Sequence, residues 1–178
     1  PYASGIAMLD IPKNVLRWNR AAKKIAASVI AKGGVVDRLT QGAADKVNEY
    51  SERVNAWVYE ETVALLRKGK LAVVLGGDHS VPYGAIRAHA QKYPGLGILH
   101  LDAHADLRDS YEGFIWSHAS IFNNVMRKIP GIGKLVQVGV RDLGQAERKM
   151  IDANGRIVTF YDAELASRKE RGIAFAKL

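Results

Sequence analysis

The sequence predicts an α/β fold with a mainly parallel sheet. Short apolar runs alternate along the chain with amphipathic stretches of about 10–12 residues, which is the pattern of strand–helix–strand units. A chain of 178 residues is long enough for one domain with a buried core. Its 48% hydrophobic and 25% charged residues are typical of a globular protein. We therefore expect a single domain over residues 1–178.

Two amphipathic helices are predicted in the first 70 residues. In both, apolar residues recur at spacings of three and four, which places them on one helical face. Pro12 precedes the first helix, and Gly33-Gly34 should end it. The apolar positions are Val15, Trp18, Ala22, Ile25 and Val29 in the first helix and Val47, Tyr50, Val54, Trp57, Val58 and Leu65 in the second.

Four short apolar runs predict strands, and three segments of helical composition connect them. The run from Leu71 to Leu75 ends at a glycine pair and should be a strand buried on both faces. In sheets built from right-handed strand–helix–strand units, ligands bind outside the carboxyl ends of the strands. The predicted strands are residues 71–75, 96–101, 134–140 and 156–161, and the predicted helices are residues 82–92, 117–128 and 145–153.

Polar side chains follow two of these strands directly. The Gly-Gly-Asp-His-Ser stretch at 76–80 allows a tight turn that brings His79 to the rim of the sheet. After the next strand, His100, Asp102, His104 and Asp106 occupy alternate positions and begin on one face. Two carboxylates and imidazoles therefore converge where that strand opens into its loop. This arrangement predicts a metal site.

All five histidines lie between positions 79 and 118, which favours function for most of them. Some have structural alternatives. His100 lies inside an apolar run and is interpreted as a hydrogen-bonded core residue rather than a ligand. His89 is interpreted as a solvated residue on a helix. His118, near a helix start, either reaches over the same rim or packs against Trp116.

The net charge of +8 raises the hypothesis of nucleic-acid binding. Residues 1–70 and 127–178 each carry a charge of +5, whereas residues 71–126 carry −2. The basic residues are scattered along predicted helices without interleaved aromatic residues, which is typical of solvated helix faces. We therefore predict no nucleic-acid partner, and place the chemistry in the acidic middle of the chain.

Composition also limits location and chemistry. No apolar run approaches the roughly 18 residues of a membrane span, so no membrane association is predicted. The chain has no cysteine, which excludes disulfides, thiolate ligands and a thiol nucleophile, and fits a cytoplasmic protein. No basic and apolar leader follows Pro1, so no signal peptide is expected, and the natural N-terminus is expected to lie upstream.

A metal held without sulfur must be bound by nitrogen and oxygen. Carboxylates combined with imidazoles suit manganese, with zinc, iron and cobalt as open alternatives. A carboxylate flanked by two ligand sets can bridge two ions, and paired ions lower the pKa of a shared water. The predicted reaction class is therefore metal-assisted hydrolysis. The spacing of the ligands does not identify the bond that is cut.

Four motifs resemble, in their order, the arginase/agmatinase (ureohydrolase) family. They are Gly-Gly-Asp-His-Ser at 76–80, Leu-Asp-Ala-His-Ala-Asp at 101–106, Ser-His-Ala-Ser at 117–120 and Gln-Val-Gly-Val-Arg at 137–141. The resemblance covers about residues 71–178. It implies a three-layer α/β/α fold with a mainly parallel sheet and a binuclear manganese centre. It also implies that a metal-bridging hydroxide attacks the carbon of a guanidino substrate, and that the complete enzyme is a trimer or hexamer.

The resemblance implies a role for each matching residue. His79 and Asp106 would bind one Mn²⁺, His104 would bind the other, and Asp102 would bridge both. Asp106 would also orient the bridging hydroxide. His118 resembles the proton-shuttling histidine of the family, which helps to protonate the leaving amine.

Substrate choice in this family should be read from the loop at 107–116. The 14-residue step from His104 to His118 resembles agmatinases more than arginases. Asp109 and Glu112 could attract the amine of agmatine, which has no carboxylate. Arg108 would instead fit a carboxylate tail such as that of guanidinobutyrate. We predict an agmatinase that forms putrescine and urea for polyamine biosynthesis, with arginase and guanidinobutyrase as alternatives.

One part of the family pattern is missing. The family has an Asp-x-Asp strand end that completes both metal sites, and no such motif follows Asp162 and Glu164. The first strand of the family, before residues 5–8, is also absent. We therefore expect a partial domain, without the first strand and the C-terminal half of the fold, that is inactive alone. The alternatives are a degenerate ureohydrolase homologue and a zinc-dependent deacetylase, although the tandem histidines expected of the latter are missing.

Overall fold

A computed structural model describes residues 5–173, and it contains three parallel strands and six α-helices. The predicted α/β class with a parallel sheet is confirmed. In chain order the elements are α1 (Lys13–Ile30), α2 (Arg38–Arg67), α3 (Tyr83–Lys92), β1 (Leu96–Leu101), α4 (Ile121–Lys128), β2 (Ile132–Val140), α5 (Gln145–Ala153), β3 (Ile157–Tyr161) and α6 (Asp162–Glu170). A 3-10 turn at His118–Ser120 leads into α4. The expectations about Pro1 and about the chain beyond Ile173 fall outside the described residues.

The two N-terminal helices form where the periodicity predicts them. Helix α1 begins after Pro12 and ends before the glycine pair. Helix α2 begins nine residues before its first predicted apolar position, because Asp37 caps it. The Asp37 carboxylate accepts the N–H of Thr40 at 2.7 Å, while the Thr40 hydroxyl accepts the N–H of Asp37 at 3.0 Å. This reciprocal pair satisfies two backbone donors at the helix start. None of the described helices is both long and apolar enough to cross a membrane.

The sheet has the order β1-β2-β3, and its register aligns polar residues across the strands. His100 of β1 lies opposite Gln137 of β2, which in turn lies opposite Thr159 of β3. Around them, apolar side chains of β2, α4 and the loop after β1 form the core. Its most deeply buried members are Ala105, Leu107, Ile121, Val125, Ile132, Leu135 and Val140. The core therefore extends from the start of β2 to the loop after β1, where the polar motifs begin.

The predicted strand at residues 71–75 does not form. The segment is extended but pairs with no strand among the described residues, and Leu71, Val73 and Leu75 are more than 80% exposed. An apolar run becomes a strand only where a neighbour accepts and donates its backbone hydrogen bonds. Within residues 5–173, β1 pairs with β2 alone, and Leu99 and Leu101 on β1 are also exposed. The prediction of a strand buried on both faces is therefore wrong for this structure.

Candidate metal centre

The loop after β1 carries three of the four predicted metal ligands and is fixed by its backbone. The carbonyl of Ala103 accepts two N–H bonds, at 2.8 and 3.0 Å, from the residues that follow β2. The N–H of Leu107 donates to the buried carboxylate of Glu147 at 2.9 Å, and the carbonyl of Asp106 accepts from Phe122 at 3.0 Å. Asp106 itself has a φ of 53°, a left-handed conformation that aspartate tolerates better than most residues. The backbone of the loop thus turns at Asp106, one of the predicted metal ligands.

His79 enters the site from the turn before α3. Gly77 has a φ of 54°, and the N–H of Ser80 donates to the Asp78 carboxylate at 2.9 Å, so the turn is tight. It places Nδ1 of His79 2.6 Å from Oδ2 of Asp106. The ring also makes an edge contact with Phe122, at 5.6 Å between centroids. The structure thus brings His79 and Asp106, two predicted metal ligands that are 27 positions apart, into contact.

The two oxygens of Asp102 face different partners. Oδ2 lies 3.6 Å from Nδ1 of His79 and 3.5 Å from Nε2 of His100. Oδ1 accepts the backbone N–H of His104 at 2.9 Å and lies 3.2 Å from Nδ1 of the same residue. One carboxylate therefore stands between two sets of imidazoles. This is the arrangement that a bridging ligand requires.

The ionisable groups of the site are shifted by these contacts. The hydrogen bond to Asp106 raises the pKa of His79, against the opposing effect of burial. Burial lowers the pKa of His100, and the neighbouring His79 lowers it further. Burial is also the largest influence on Asp102 and raises its pKa, but the N–H of His104 and the adjacent histidines outweigh it, so the pKa lies below its ordinary value. The cluster therefore keeps Asp102 ionised.

A divalent ion fits the donor atoms around Oδ2 of Asp102. Ligand atoms of four residues lie within 4.8 Å of one another, namely His79, His100, Asp102 and Asp106. Two ligands at right angles on an ion with bonds of about 2.1 Å lie roughly 3 Å apart. The distances from Nδ1 of His79 to Asp106 and Asp102, 2.6 and 3.6 Å, bracket that value. The nitrogen and oxygen donors suit a borderline-hard divalent metal.

His118 lines a cavity together with two of the predicted metal ligands. The cavity has a volume of about 200 Å³, and its wall includes His104, Asp106 and His118. The ring of His118 makes an edge contact with Tyr111, at 5.7 Å between centroids. The structure therefore brings this histidine, predicted near a helix start, to the same space as two ligands.

Asp109 and Glu112, the residues predicted to attract the substrate tail, are not among the residues that line this cavity. The carboxylate of Asp109 instead lies 3.1 Å from Arg127 and accepts from the amide of Asn123 at 3.0 Å. Glu112 sits at a turn with a φ of 54°. Neither acidic residue therefore lies on the wall of the cavity that His104 and Asp106 line.

Sequence reasoning missed two carboxylates of the cavity wall, Asp142 and Glu147. Asp142 could have been found, because it follows the strand that contains Gln-Val-Gly-Val-Arg, and the end of each strand is where ligands bind. Glu147 is 4% exposed and accepts the N–H of Gly144 at 2.7 Å as part of a helix cap. The sequence indicates Glu147 only through its position three residues after Gly144, where a capping box has Glu or Gln.

The profile of the Arginase family matches residues 17–174, which is most of the chain. The chain belongs to the arginase family. The match includes all four motifs and the whole set of predicted ligands. It also extends upstream of residue 71, across both N-terminal helices, where the sequence motifs alone indicated only a weak likeness.

Individual relatives agree with this membership. The chain is 37% identical over 106 residues to N(1)-aminopropylagmatine ureohydrolase of Thermus thermophilus, a match that covers 59% of this chain and 35% of that protein. It is 41% identical over 105 residues to Arginase 1, mitochondrial, of Oryza sativa subsp. indica, covering 58% of this chain and 28% of that one. The matches thus span about a third of each relative's length.

A solved structure shows the same fold. Arginase from Medicago truncatula superposes with a TM-score of 0.60 at 30% sequence identity, covering 72% of this chain and 42% of that one. The parallel sheet and its helices are therefore the part of the arginase fold that this chain contains.

Proposed function

We propose that this chain supplies the metal-binding part of a manganese-dependent ureohydrolase that converts agmatine to putrescine and urea. The position of the Asp102 carboxylate carries the proposal. Its Oδ2 faces His79 and its Oδ1 faces His104, at 3.6 and 3.2 Å. A carboxylate placed between two ligand sets is the feature that distinguishes a two-metal hydrolase site from a single structural ion.

Each residue has a proposed place in the centre. His79, Asp106 and Oδ2 of Asp102 would hold one ion, and His104 with Oδ1 of Asp102 would hold the other. When bound, two divalent ions supply a nucleophile at neutral pH by lowering the pKa of a shared water. Asp106, whose side chain is only 7% exposed, would orient that water through a carboxylate oxygen.

The hydrolysis requires a proton at the leaving nitrogen. Water adds to the guanidinium carbon, the bond from this carbon to the tail nitrogen breaks, and the tail leaves as a protonated amine beside urea. His118 lies on the wall of the cavity that also contains His104 and Asp106. We assign it the delivery of that proton, as general acid.

The charge of the cavity wall supports a cationic substrate tail. The wall carries Asp106, Asp142 and Glu147 against Arg108, a formal charge of −2 with its histidines neutral. Nε of Arg108 lies 3.5 Å from Oε2 of Glu147, so its charge is compensated. Asp142 is 73% exposed, and we propose that it contacts the tail amine. Asp109 and Glu112 would then act only at long range.

One observation favours the second candidate, a ureohydrolase for a carboxylate-tailed substrate such as guanidinobutyrate. Arg108 also lines the cavity, and its guanidinium stacks over Tyr111 at 5.2 Å. If Arg108 turned from Glu147 toward the cavity, it would offer two donors to a carboxylate. The second candidate therefore depends on Arg108, as the first depends on Asp142.

A steady-state comparison tests the function. The protein made from its complete reading frame and loaded with Mn²⁺ would be assayed for urea release from agmatine, L-arginine and 4-guanidinobutyrate. We expect the highest kcat/KM for agmatine. A higher kcat/KM for L-arginine or guanidinobutyrate would overturn the agmatine assignment, and no urea from any of the three would overturn the ureohydrolase proposal.

The 178-residue chain should be inactive by itself. Among residues 5–173, four side chains, His79, Asp102, His104 and Asp106, are proposed to serve two ions, and this leaves most coordination positions to water. We expect weak Mn²⁺ binding and no urea from agmatine in a colorimetric assay. Measurable turnover by the purified chain would contradict this prediction.

A further inference from the structure

We propose that His100 is a positioning residue for Asp102, whose Oδ2 it faces with an Nε2–H donor, and that it is not a metal ligand. The inference rests on the proposed function, because it assigns a role within that metal centre. His100 is 4% exposed, and its Nε2 has no hydrogen-bond partner within standard limits among the described residues. The burial of Nε2 requires an explanation, because an unpaired donor or acceptor in a protein interior costs free energy of folding.

A polar ladder across the three strands determines which nitrogen of His100 carries the proton. The hydroxyl of Thr159 donates to Oε1 of Gln137 at 3.0 Å. Nε2 of Gln137 donates to the carbonyl of Ala105 at 2.7 Å and lies 3.0 Å from Nδ1 of His100. A carbonyl can only accept, so the amide nitrogen of Gln137 must face Ala105. The second hydrogen on that nitrogen then points at Nδ1.

The tautomer of His100 follows from this contact. Nδ1 must accept the hydrogen of Gln137 and therefore carries none of its own. A neutral imidazole has one donor and one acceptor, so the proton lies on Nε2. Nε2 is 3.5 Å from Oδ2 of Asp102, which is the nearest carboxylate to it. The N–H thus lies beside the oxygen proposed to hold an ion together with His79.

The alternative is that His100 binds the metal through Nε2, since it is one of the four clustered residues. Nε2 would then have to lose its hydrogen, and Nδ1 would gain one against the N–H of Gln137. Turning the amide of Gln137 to avoid this would place Oε1 against the carbonyl of Ala105 and break the bond from Thr159. Because Gln137 is fully buried, no water can replace those bonds.

The consequence for Asp102 is that both oxygens are oriented by donors from this chain. Oδ1 accepts the backbone N–H of His104 at 2.9 Å, and Oδ2 faces the N–H of His100. Partners of this kind hold a ligating carboxylate in its binding orientation. The ring of His100 is itself held by Phe122, at 4.3 Å between centroids. His100 therefore fixes the bridging ligand from the core side of the sheet.

The tautomer can be measured without metal or substrate. Two-bond ¹H–¹⁵N correlation spectra of the 178-residue chain should show His100 protonated at Nε2. On addition of Zn²⁺, a diamagnetic probe, that N–H should remain while the ring nitrogens of His79 and His104 shift. Protonation at Nδ1, or loss of the His100 N–H on addition of Zn²⁺, would overturn the proposal. A chain that shows the Nε2 tautomer yet leads to no urea release overturns only the proposed function.

Metal affinity provides the second readout, by titration of the full chain with Mn²⁺ followed by electron paramagnetic resonance. His100→Leu removes the donor and should weaken binding by about 10- to 100-fold. His100→Gln retains an amide donor near Nε2 and should stay within about threefold of the parent. Equal losses in both variants, or no loss in either, would overturn the assignment.

If His100→Leu does not fold, Gln137→Met tests the same ladder from the neighbouring strand. It removes the N–H that Nδ1 of His100 accepts, so the His100 spectrum should show a mixture of tautomers. An unchanged single tautomer would contradict the ladder.

Discussion

At the scale of single residues, a few side chains decide what the cavity can bind. Asp142 and Arg108 have opposite charges and line the same cavity, but only Arg108 has a buried carboxylate beside it. Among the described residues, the Asp142 carboxylate has one ionisable partner within 4 Å, His104, at 3.9 Å. An exposed and uncompensated carboxylate on a cavity wall favours cationic ligands. Under the proposed function, the choice of substrate therefore depends on Asp142, which follows β2.

Replacement of Asp142 tests this choice. In the protein made from its complete reading frame, Asp142→Asn should raise the KM for agmatine about tenfold and leave kcat within about twofold, because ground-state binding of the tail is lost. Asp109→Asn, which removes an equal charge beside Arg127 instead, is the matched control and should change KM little. A larger effect of Asp109→Asn would indicate that the loop at 107–116, rather than Asp142, contacts the tail of the substrate.

At the scale of elements, the N-terminal helices depend on local chemistry at a cap and on one close approach. Asp37 caps α2 without being buried, and its pKa is held well below the ordinary value by the N–H of Thr40 and by Lys32. Gly84 lies where α3 crosses α2, and a Cβ there would stand 2.2 Å from the carbonyl oxygen of Asn55. One element boundary and one packing contact are therefore set by single residues.

The cap of α2 should contribute to stability in a pH-dependent way. Asp37→Ala should lower the thermal unfolding midpoint at pH 7, whereas Asp37→Ser, which keeps an acceptor, should lower it less. Because the folded-state pKa is depressed, the stabilisation by the carboxylate is present above the unfolded pKa of about 3.9 and is lost as pH falls toward the folded value. Calorimetry from pH 7 to 3 would measure this. A difference between parent and Asp37→Ser that grows below pH 4 would contradict it.

The crossing of α2 and α3 should not tolerate a methyl group at Gly84. Gly84→Ala would force the backbones apart and should cost about 1–3 kcal/mol in the free energy of unfolding. Gly42→Ala is the matched control, because nothing lies within 4 Å of a Cβ at that exposed position of α2. It should be neutral or stabilising by up to about 1 kcal/mol. Urea denaturation measures both, and equal effects would show that the close approach is unimportant.

At the scale of the whole molecule, proposed metal ligands from separate segments meet at one end of the sheet. His79 precedes α3, whereas Asp102 to Asp106 follow β1, and the fold joins them within hydrogen-bonding distance. A metal that binds only the folded arrangement adds its binding free energy to the stability of the chain. Metal binding at the proposed centre should therefore be detectable as an increase in the free energy of unfolding of the chain.

Metal addition and removal should shift the unfolding of the 178-residue chain. Mn²⁺ at 100 times its dissociation constant should stabilise the chain by about 2.7 kcal/mol, and EDTA should reverse the effect. Asp102→Asn should abolish most of the shift, because it removes the proposed bridge. Glu60→Gln, a change of the same charge on the exposed part of α2, should leave the shift intact. Differential scanning fluorimetry would measure it, and an equal shift in both variants would argue against the centre.

The features that depend on local periodicity and residue type could be predicted from the sequence. Helix α5 has the predicted bounds, β1 has them too, and the polar residues at alternate positions after β1 do converge with His79. These features are predictable because side-chain alternation and helix periodicity act over a few residues. Strand ends were informative for the same reason, since all parallel strands present them at one edge.

The contacts between distant segments could not be predicted from the sequence, because they depend on the tertiary structure. Within residues 5–173 it gives residues 71–75 no strand partner, and it turns Asp109 toward Arg127 while it brings Asp142 to the cavity. The bond from Gln137 to His100 joins residues 37 positions apart, and it exists because the register of β1 and β2 places them opposite each other. Register and pairing depend on the packing of the complete sheet rather than on local sequence. The tautomer of His100 can therefore be deduced only from the three-dimensional structure.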